Sequence, residues 1–207
     1  MAAGAVQSAF ARAAGDDGIV LGSSSFDWLC EQGHVGLERV AKARRDPSLV
    51  GPVTEALEQL TAIYARLKGD VSVLHASREN LLLPVELFHE PTGTVIEVDE
   101  PPHFTSFRLV ALELYRPDVV LGYDLDAYKE QCRAWCATTD GLSRGMPAKG
   151  FGFGGIQRER AYVDALRDLA TPAMGHPPLI RLAATDGDGA AAYARNRAAL
   201  LRLVEPG

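Results

Sequence analysis

Three acidic residues in the middle of the chain, Glu86, Glu97 and Asp99, have the spacing of a carboxylate cluster. They flank the tetrapeptide EPTG at positions 90–93, whose proline and glycine suit a type I turn and a tight hairpin. If the first and last residues of EPTG close the turn, Glu86 lies directly opposite Glu97, with Cβ atoms roughly 5 Å apart. Asp99 then shares a face with Glu97, because alternate residues of a strand project to the same side.

This acidic face has two interpretations. Like charges that oppose each other across a hairpin are destabilising unless something neutralises them, and a bound divalent cation would do so. Alternatively, the face is exposed to solvent, where acidic residues are ordinary. The pattern alone leaves both interpretations open.

The composition is that of a globular protein with one large domain, or one domain and an appendage: 207 residues, 47% hydrophobic and 23% charged. The sequence contains no apolar run of about 18 residues, so we predict no membrane span. The N-terminus lacks a basic start followed by an apolar stretch, so no secretory signal is expected. Cys30, Cys132 and Cys136 suit reduced thiols better than a zinc site. We therefore predict a cytoplasmic, disulfide-free protein.

The net charge of −6 argues against tight non-specific binding of nucleic acid, which normally depends on several lysine or arginine contacts to phosphate. A local basic patch, together with a metal ion that offsets the carboxylates, still permits catalysis on a phosphodiester.

Periodicity and capping signals predict helices, then a strand-rich centre, then helix, strand and helix, which is an α/β or α+β arrangement with a mixed sheet. Serines 23–25 are expected to cap a short helical run. The predicted strands are Val71–Leu74, the two arms of the hairpin, and Leu179–Leu182. The other predicted helices are 5–15, 35–45, 52–68, 104–115, 125–136, 157–170 and 190–204.

The segment 141–155 holds six glycines and a proline, and it carries Arg144, Lys149, Phe151 and Phe153. Basic and aromatic side chains on a mobile loop are suited to gripping a strand of nucleic acid. A simple connector between two helices is the other interpretation.

Several of these motifs occur in the order of a known superfamily. The segment VELF at 85–88 places an acid at the opening of one strand, and IEVDEPPHF at 96–104 ends the next strand with Glu-x-Asp and a histidine. A charged helix over 158–168 and a strand ending in Ile180-Arg181 follow. This order resembles the PD-(D/E)XK (restriction-endonuclease-like) superfamily, nearest to its very-short-patch-repair-like branch and to RAP-type domains. The likeness spans roughly residues 80 to 183.

The chain departs from the superfamily pattern at three positions. Glu86 stands where aspartate is usual, and Glu100 replaces the glycine that normally follows Glu-x-Asp. Asp99 stands in the place of the usual lysine, although Glu-x-Asp is typical of this branch.

The resemblance implies an α/β fold with a restriction-endonuclease-like mixed β-sheet flanked by helices. Residues 1–70 would form a helical N-terminal segment packed on the core. Residues 71–207 would form the core, with an insertion at about 117–155.

The resemblance also implies metal-dependent hydrolysis of phosphodiester bonds in nucleic acid, by a DNA endonuclease or a nicking enzyme. Mg²⁺ or Mn²⁺ would be held by Glu86 and Glu97, with Asp99 as a third ligand or as the residue that orients the attacking water. Such an ion keeps open positions for the substrate phosphate. His103 would act as a general acid or base, since its pKa lies near neutrality, or would simply be a polar turn residue.

Lys149, Arg158 and Arg160 are the candidate nucleic-acid-binding residues, although a solvated helix face also explains the two arginines. Tyr162 and Asp164 are candidates to link the helix to the active site. The expected partner is nucleic acid, DNA in the first place, and a homodimer is compatible with the sequence.

Two other functions are compatible with these residues. One is a non-catalytic module that binds nucleic acid or protein and retains the nuclease fold, which the net charge, Glu86 and Glu100 favour. The other is a metal-dependent enzyme that acts on a small phosphorylated substrate and needs no large basic surface.

Overall fold

The structure, a computed structural model, describes residues 4–76, 81–142 and 145–204. These residues form eight α-helices and four β-strands. The helices are α1 Ala5–Asp16, α2 Gly33–Arg44, α3 Pro47–Arg66, α4 Val71–Ala76, α5 Ser106–Leu112, α6 Leu125–Thr139, α7 Ile156–Ala173 and α8 Gly189–Leu200. The strands are β1 Gly22–Ser24, β2 Val85–His89, β3 Thr94–Asp99 and β4 Ile180–Ala183.

The four strands form one mixed sheet in the order β1-β2-β3-β4. The pairs β1–β2 and β2–β3 are antiparallel, whereas β4 runs parallel to β3. A parallel neighbour requires a long crossover, and here α5, α6 and α7 provide it. The predicted mixed α/β architecture is confirmed, and its specific restriction-endonuclease-like form stays a prediction.

The sheet separates two apolar cores because its strands alternate. Ile96 and Val98 pack with Val6 and Phe10 of α1 and with α8. Val95 belongs to the larger core, which also contains residues of α2, α3, α5, α6 and α7. Side chains of β3 on the Val95 side, including Glu97 and Asp99, therefore face the layer that contains α7.

The β2–β3 hairpin has the predicted register. Leu87 pairs with Ile96 and His89 with Thr94, so the same register places Glu86 across from Glu97. The Glu90 carbonyl accepts a hydrogen bond from the Gly93 amide at 3.2 Å, and Gly93 has a positive φ of 69°. The turn thus closes between the first and last residues of EPTG.

Two predicted elements are wrong. Residues Val71–Leu74 are not a strand but the first part of α4, where the Asp70 carboxylate accepts a hydrogen bond from the Ser72 amide at 3.0 Å. The serines at 23 and 24 do not cap a helix, because they lie in β1, the edge strand. The other predicted helices, and strand β4, are present with shifted ends.

The glycine-rich segment folds back on itself where it is described. Ala148 and Gly152 form an isolated antiparallel bridge, Phe151 is buried, and Phe153 is exposed. Arg144 lies outside the described residues. Among the described helices, none has the length and apolar character needed to cross a membrane.

Replacing Gly93 with alanine is expected to lower the free energy of unfolding by about 1 kcal/mol, because an L-residue with a Cβ is strained at positive φ. A Cβ there would meet nothing closer than 3.6 Å, so the cost is conformational. Urea denaturation measures it. The matched control is Gly51→Ala, on an exposed and open position of α3, which should not lose stability. Equal stability of Gly93→Ala and the parent would contradict the role of the turn.

Candidate functional site

A network of buried ion pairs joins β3, β4 and α7, and Arg181 of β4 is at its centre. One terminal nitrogen, Nη1, donates to both carboxylate oxygens of Asp99 at 3.0 Å. Nε donates to the Asp168 carboxylate at 2.6 Å, and Nη2 donates to the Asp164 carbonyl at 3.0 Å. The side chain has no exposed surface. Every nitrogen of this guanidinium is therefore hydrogen-bonded within the protein.

A second buried guanidinium, Arg108 of α5, pairs with Asp168 on the side away from Arg181. The hydroxyls of Tyr115 and Tyr123 donate to the same Asp168 oxygen, each at 2.7 Å. Burial raises the pKa of Asp168, but the charges of Arg181 and Arg108, together with these hydrogen bonds, outweigh burial and hold the pKa below its usual range. Asp168 is thus kept ionised between two arginines.

Asp99, one of the predicted metal ligands, is an integral member of this network. Its side chain is 0% exposed, and both of its oxygens accept hydrogen bonds from Arg181. One oxygen also accepts from the Tyr128 hydroxyl at 2.7 Å, and the other lies 3.4 Å from Nδ1 of His103. The charge of Asp99 is therefore neutralised by side chains of the chain itself.

His103 is the third basic residue of the network. Its Nδ1 lies 2.9 Å from Asp164 Oδ2. Burial lowers the pKa of His103, but the carboxylates of Asp164 and Asp99 outweigh burial, and the pKa is raised above its usual value. With the imidazole protonated, two arginines and one histidine balance the three aspartates Asp99, Asp164 and Asp168.

Glu97 lies outside the network and is far less well satisfied. Its carboxylate lies 3.3 Å from Nε of Arg167, and both side chains are mostly buried, at 16% and 15% exposure. That Nε lacks the alignment of a hydrogen bond, and no described residue donates a hydrogen bond to Glu97. Burial raises the pKa of Glu97 despite the nearby arginines. Glu86, across the hairpin, is exposed.

The predicted basic contacts are distributed along α7 and the preceding segment. Arg158 donates to the carbonyls of Phe151 and Phe153, at 2.8 and 3.1 Å, and so fastens the glycine-rich segment. Arg160 donates to the Pro102 carbonyl at 3.2 Å, which brings it next to the turn that carries His103. Lys149 lies 3.8 Å from a carboxylate oxygen of Glu31.

Of the two residues predicted to link α7 to the site, Asp164 does so through His103 and Arg181. Tyr162 instead faces α2, where its hydroxyl accepts a hydrogen bond from the His34 amide at 2.8 Å. The sequence did not indicate the roles of four residues of this region, namely Arg108, Arg167, Asp168 and Arg181. A signal was present for Asp168, because it follows Asp164 by one helical turn on the apolar side of α7.

In the described part of the chain, no group of three or more His, Cys, Asp or Glu side chains is arranged to hold a metal ion. Compared with known proteins, the chain matches no family model, no curated protein and no solved structure. Any functional inference therefore depends on the geometry of these residues.

Replacing Arg181 with leucine is expected to lower the free energy of unfolding by about 3–5 kcal/mol, because three buried carboxylates lose a common partner. Chemical denaturation measures the loss. Arg195→Leu removes an arginine from an exposed pair with Asp186, so it should cost far less. Similar losses in the two variants would contradict a special role for Arg181.

Deprotonation of His103 should lower the free energy of unfolding at alkaline pH. Because its folded pKa is raised, the protonated imidazole contributes stability that is present below its unfolded pKa of about 6.5. That contribution is lost as the pH rises through the folded pKa. Unfolding free energies measured from acid to alkaline pH should fall more steeply for the parent than for His103→Gln. Parallel curves would show that His103 is not coupled to the network.

Proposed function

We propose that this chain hydrolyses phosphodiester bonds in nucleic acid, using Mg²⁺ or Mn²⁺ held at Glu86 and Glu97. The observation that carries the proposal is the state of Glu97. Its side chain is 16% exposed, no described residue donates a hydrogen bond to its carboxylate, and its one ion-pair partner is poorly aligned. A buried charge is costly unless it is paired and hydrogen-bonded. Glu97, with Glu86 across the hairpin, is therefore suited to receiving a cation.

The chemistry of these donors fits a hard divalent cation. Mg²⁺ is commonly bound by one or two carboxylates, with water and substrate phosphate completing the shell. Glu86 and Glu97 meet this need, whereas Asp99 does not, since Arg181 and Tyr128 already occupy its oxygens. When bound, the ion would stabilise negative charge on the phosphate and lower the pKa of a water molecule.

Arg167 is the residue best placed to hold the substrate phosphate. It lies next to Glu97, and its Nη2 donates to the Pro84 carbonyl at 3.0 Å, which fixes the side chain beside β2. A planar guanidinium binds phosphate oxygens through paired hydrogen bonds. A cation bound at Glu97 would neutralise that carboxylate, so the guanidinium of Arg167 would be available to the phosphate.

His103 is suited to proton transfer. Its Nδ1 is fixed by Asp164, while its Nε2 makes no hydrogen bond to a described residue. A histidine held through one nitrogen by a carboxylate presents the other nitrogen as a proton donor or acceptor. Since the carboxylates favour its protonated form, His103 would act as the general acid that protonates the leaving oxygen.

A second candidate function is a non-catalytic module that binds nucleic acid or protein. It is favoured by the use of Asp99 and His103 in a network that is neutral without a metal ion. Calorimetric titration separates the two functions. Binding of Mg²⁺ or Mn²⁺ that is lost in Glu97→Ala supports the enzyme, and the absence of any binding supports the module.

Glu97→Ala should reduce metal-dependent cleavage of labelled DNA by about 100-fold or more, because the ion loses a ligand. Single-stranded DNA, duplex DNA and RNA are compared in Mg²⁺ and in chelator. The matched control is Glu90→Ala, an exposed glutamate in the turn of the same hairpin, which should cleave normally. Circular dichroism checks that both variants fold. Undiminished cleavage by Glu97→Ala would refute the assignment.

A further inference from the structure

A cavity of about 330 Å³ opens beside α7, a size within the range of small-ligand sites. We call it the α7 pocket. Three buried aromatic side chains reach its wall, and aliphatic side chains from α4, from α7 and from the segment before β2 form much of the rest. Among these residues are Tyr64, Phe151, Tyr162, Val73, Leu74 and Leu83.

The wall of the α7 pocket is fixed before any ligand binds. The Tyr64 hydroxyl donates to the Asp70 carbonyl at 3.1 Å, and the Tyr162 hydroxyl accepts from the His34 amide at 2.8 Å. Two glycines make room for these rings. A Cβ at Gly33 would lie 2.3 Å from the Tyr162 hydroxyl, and one at Gly150 would lie 2.6 Å from the Tyr64 hydroxyl. Both tyrosines are therefore held in place by close packing.

The rim of the pocket is charged, and one of its carboxylates lacks a partner. Glu31, Lys149, Glu159 and Arg160 all line the pocket. Glu159 is half-buried, and it forms no side-chain hydrogen bond or ion pair with a described residue. Burial and the neighbouring Glu31 raise its pKa. A ligand that donates a hydrogen bond to Glu159 would satisfy this carboxylate.

The pocket and the candidate catalytic residues lie along one side of α7. Arg160, Val163 and Arg167 follow each other at spacings of three and four, so they share a face of the helix. Leu83 lines the pocket, and the carbonyl of the next residue, Pro84, accepts from Arg167. Arg160 and Arg167 are about 10 Å apart along the helix axis.

We propose that the α7 pocket receives one unstacked nucleobase of a single-stranded nucleic acid. Its position next to the cleaved phosphate depends on the function proposed above. Aromatic walls bind bases of any sequence, while a carboxylate acceptor favours bases that carry an exocyclic amino group. Glu159 would accept from that amino group, so adenine would bind better than thymine. Arg160 would contact the phosphate between the pocket and Glu97.

The test measures binding in chelator, where no metal-dependent cleavage occurs, by fluorescence anisotropy of labelled single-stranded DNA. The probes are oligo-dA, oligo-dT and an abasic strand of equal length. Oligo-dA should bind about tenfold more tightly than the abasic strand, in line with the contribution of one stacked base. Equal affinity for oligo-dA and the abasic strand would overturn the proposal, and this comparison requires no variant.

Variants of the lining residues test whether the preference for oligo-dA over the abasic strand arises in the α7 pocket. Val73→Trp and Leu83→Trp, which would fill it, should each remove the preference for oligo-dA over the abasic strand. The control Val20→Trp, at an exposed valine that does not line the pocket, should retain the preference for oligo-dA over the abasic strand. Glu159→Gln should reduce the difference in binding affinity between oligo-dA and oligo-dT. A full preference for oligo-dA in both pocket-filling variants would refute the site.

The outcomes for the pocket and for catalysis are separable. Base-dependent binding without any metal-dependent cleavage would support the α7 pocket and refute the nuclease. Metal-dependent cleavage with no difference between oligo-dA and abasic strands would support the nuclease and refute the pocket.

Discussion

The ion pairs of Arg181 determine how the layers of this protein fit together. Burying a guanidinium and three carboxylates carries a large desolvation cost, which is offset only when nearly every polar atom is hydrogen-bonded. Arg181 meets this condition through Asp99 on the neighbouring strand and through Asp164 and Asp168 on α7. The position of α7 over the sheet is therefore set by hydrogen-bond geometry as well as by apolar packing. The other side chains of α7 are positioned relative to the sheet by the same contacts.

The contrast between Asp99 and Glu97 explains the character of the site. Both residues project from the same side of β3, yet Asp99 is bound by an arginine and a tyrosine, whereas Glu97 has one misaligned arginine. The acidic face predicted from the sequence suggested that its carboxylates would be equivalent metal ligands. The structure instead divides the carboxylates into two groups. Asp99, Asp164 and Asp168 are paired and hold His103 and α7, whereas the mostly buried Glu97 has no well-aligned partner. A reaction at Glu97 would then use side chains that the buried network holds rigid.

The parts of this arrangement that depend on local interactions were predictable from sequence. The EPTG turn fixed the hairpin register, because its residue types specify both the turn and the facing of Glu86 and Glu97. Local signals failed at Val71–Leu74, a short apolar run that suits a strand as well as a helix, and at β1, whose serines have little strand preference. The partner of Asp99 was beyond prediction because Arg181 is 82 residues away. The alternation of side chains along a strand predicts which face of the sheet a carboxylate lies on. Only the tertiary structure identifies the cation that neutralises it.

The parallel pairing of β3 with β4 also has a consequence for how the chain reaches its native state. When a ribosome has synthesised the chain only as far as α7, Asp99, Asp164 and Asp168 are all present, but their common partner is still to be added. Asp168 already has Arg108 and Asp164 has His103, but Asp99 has no arginine until β4 is added, so its burial is costly before that point. Pairing of β4 with β3 then brings Arg181 to Asp99 and to the two aspartates of α7. A nascent chain stalled before β4 would contain the helices that pack most extensively on α7, namely α3 and α5, but would lack the arginine that neutralises Asp99.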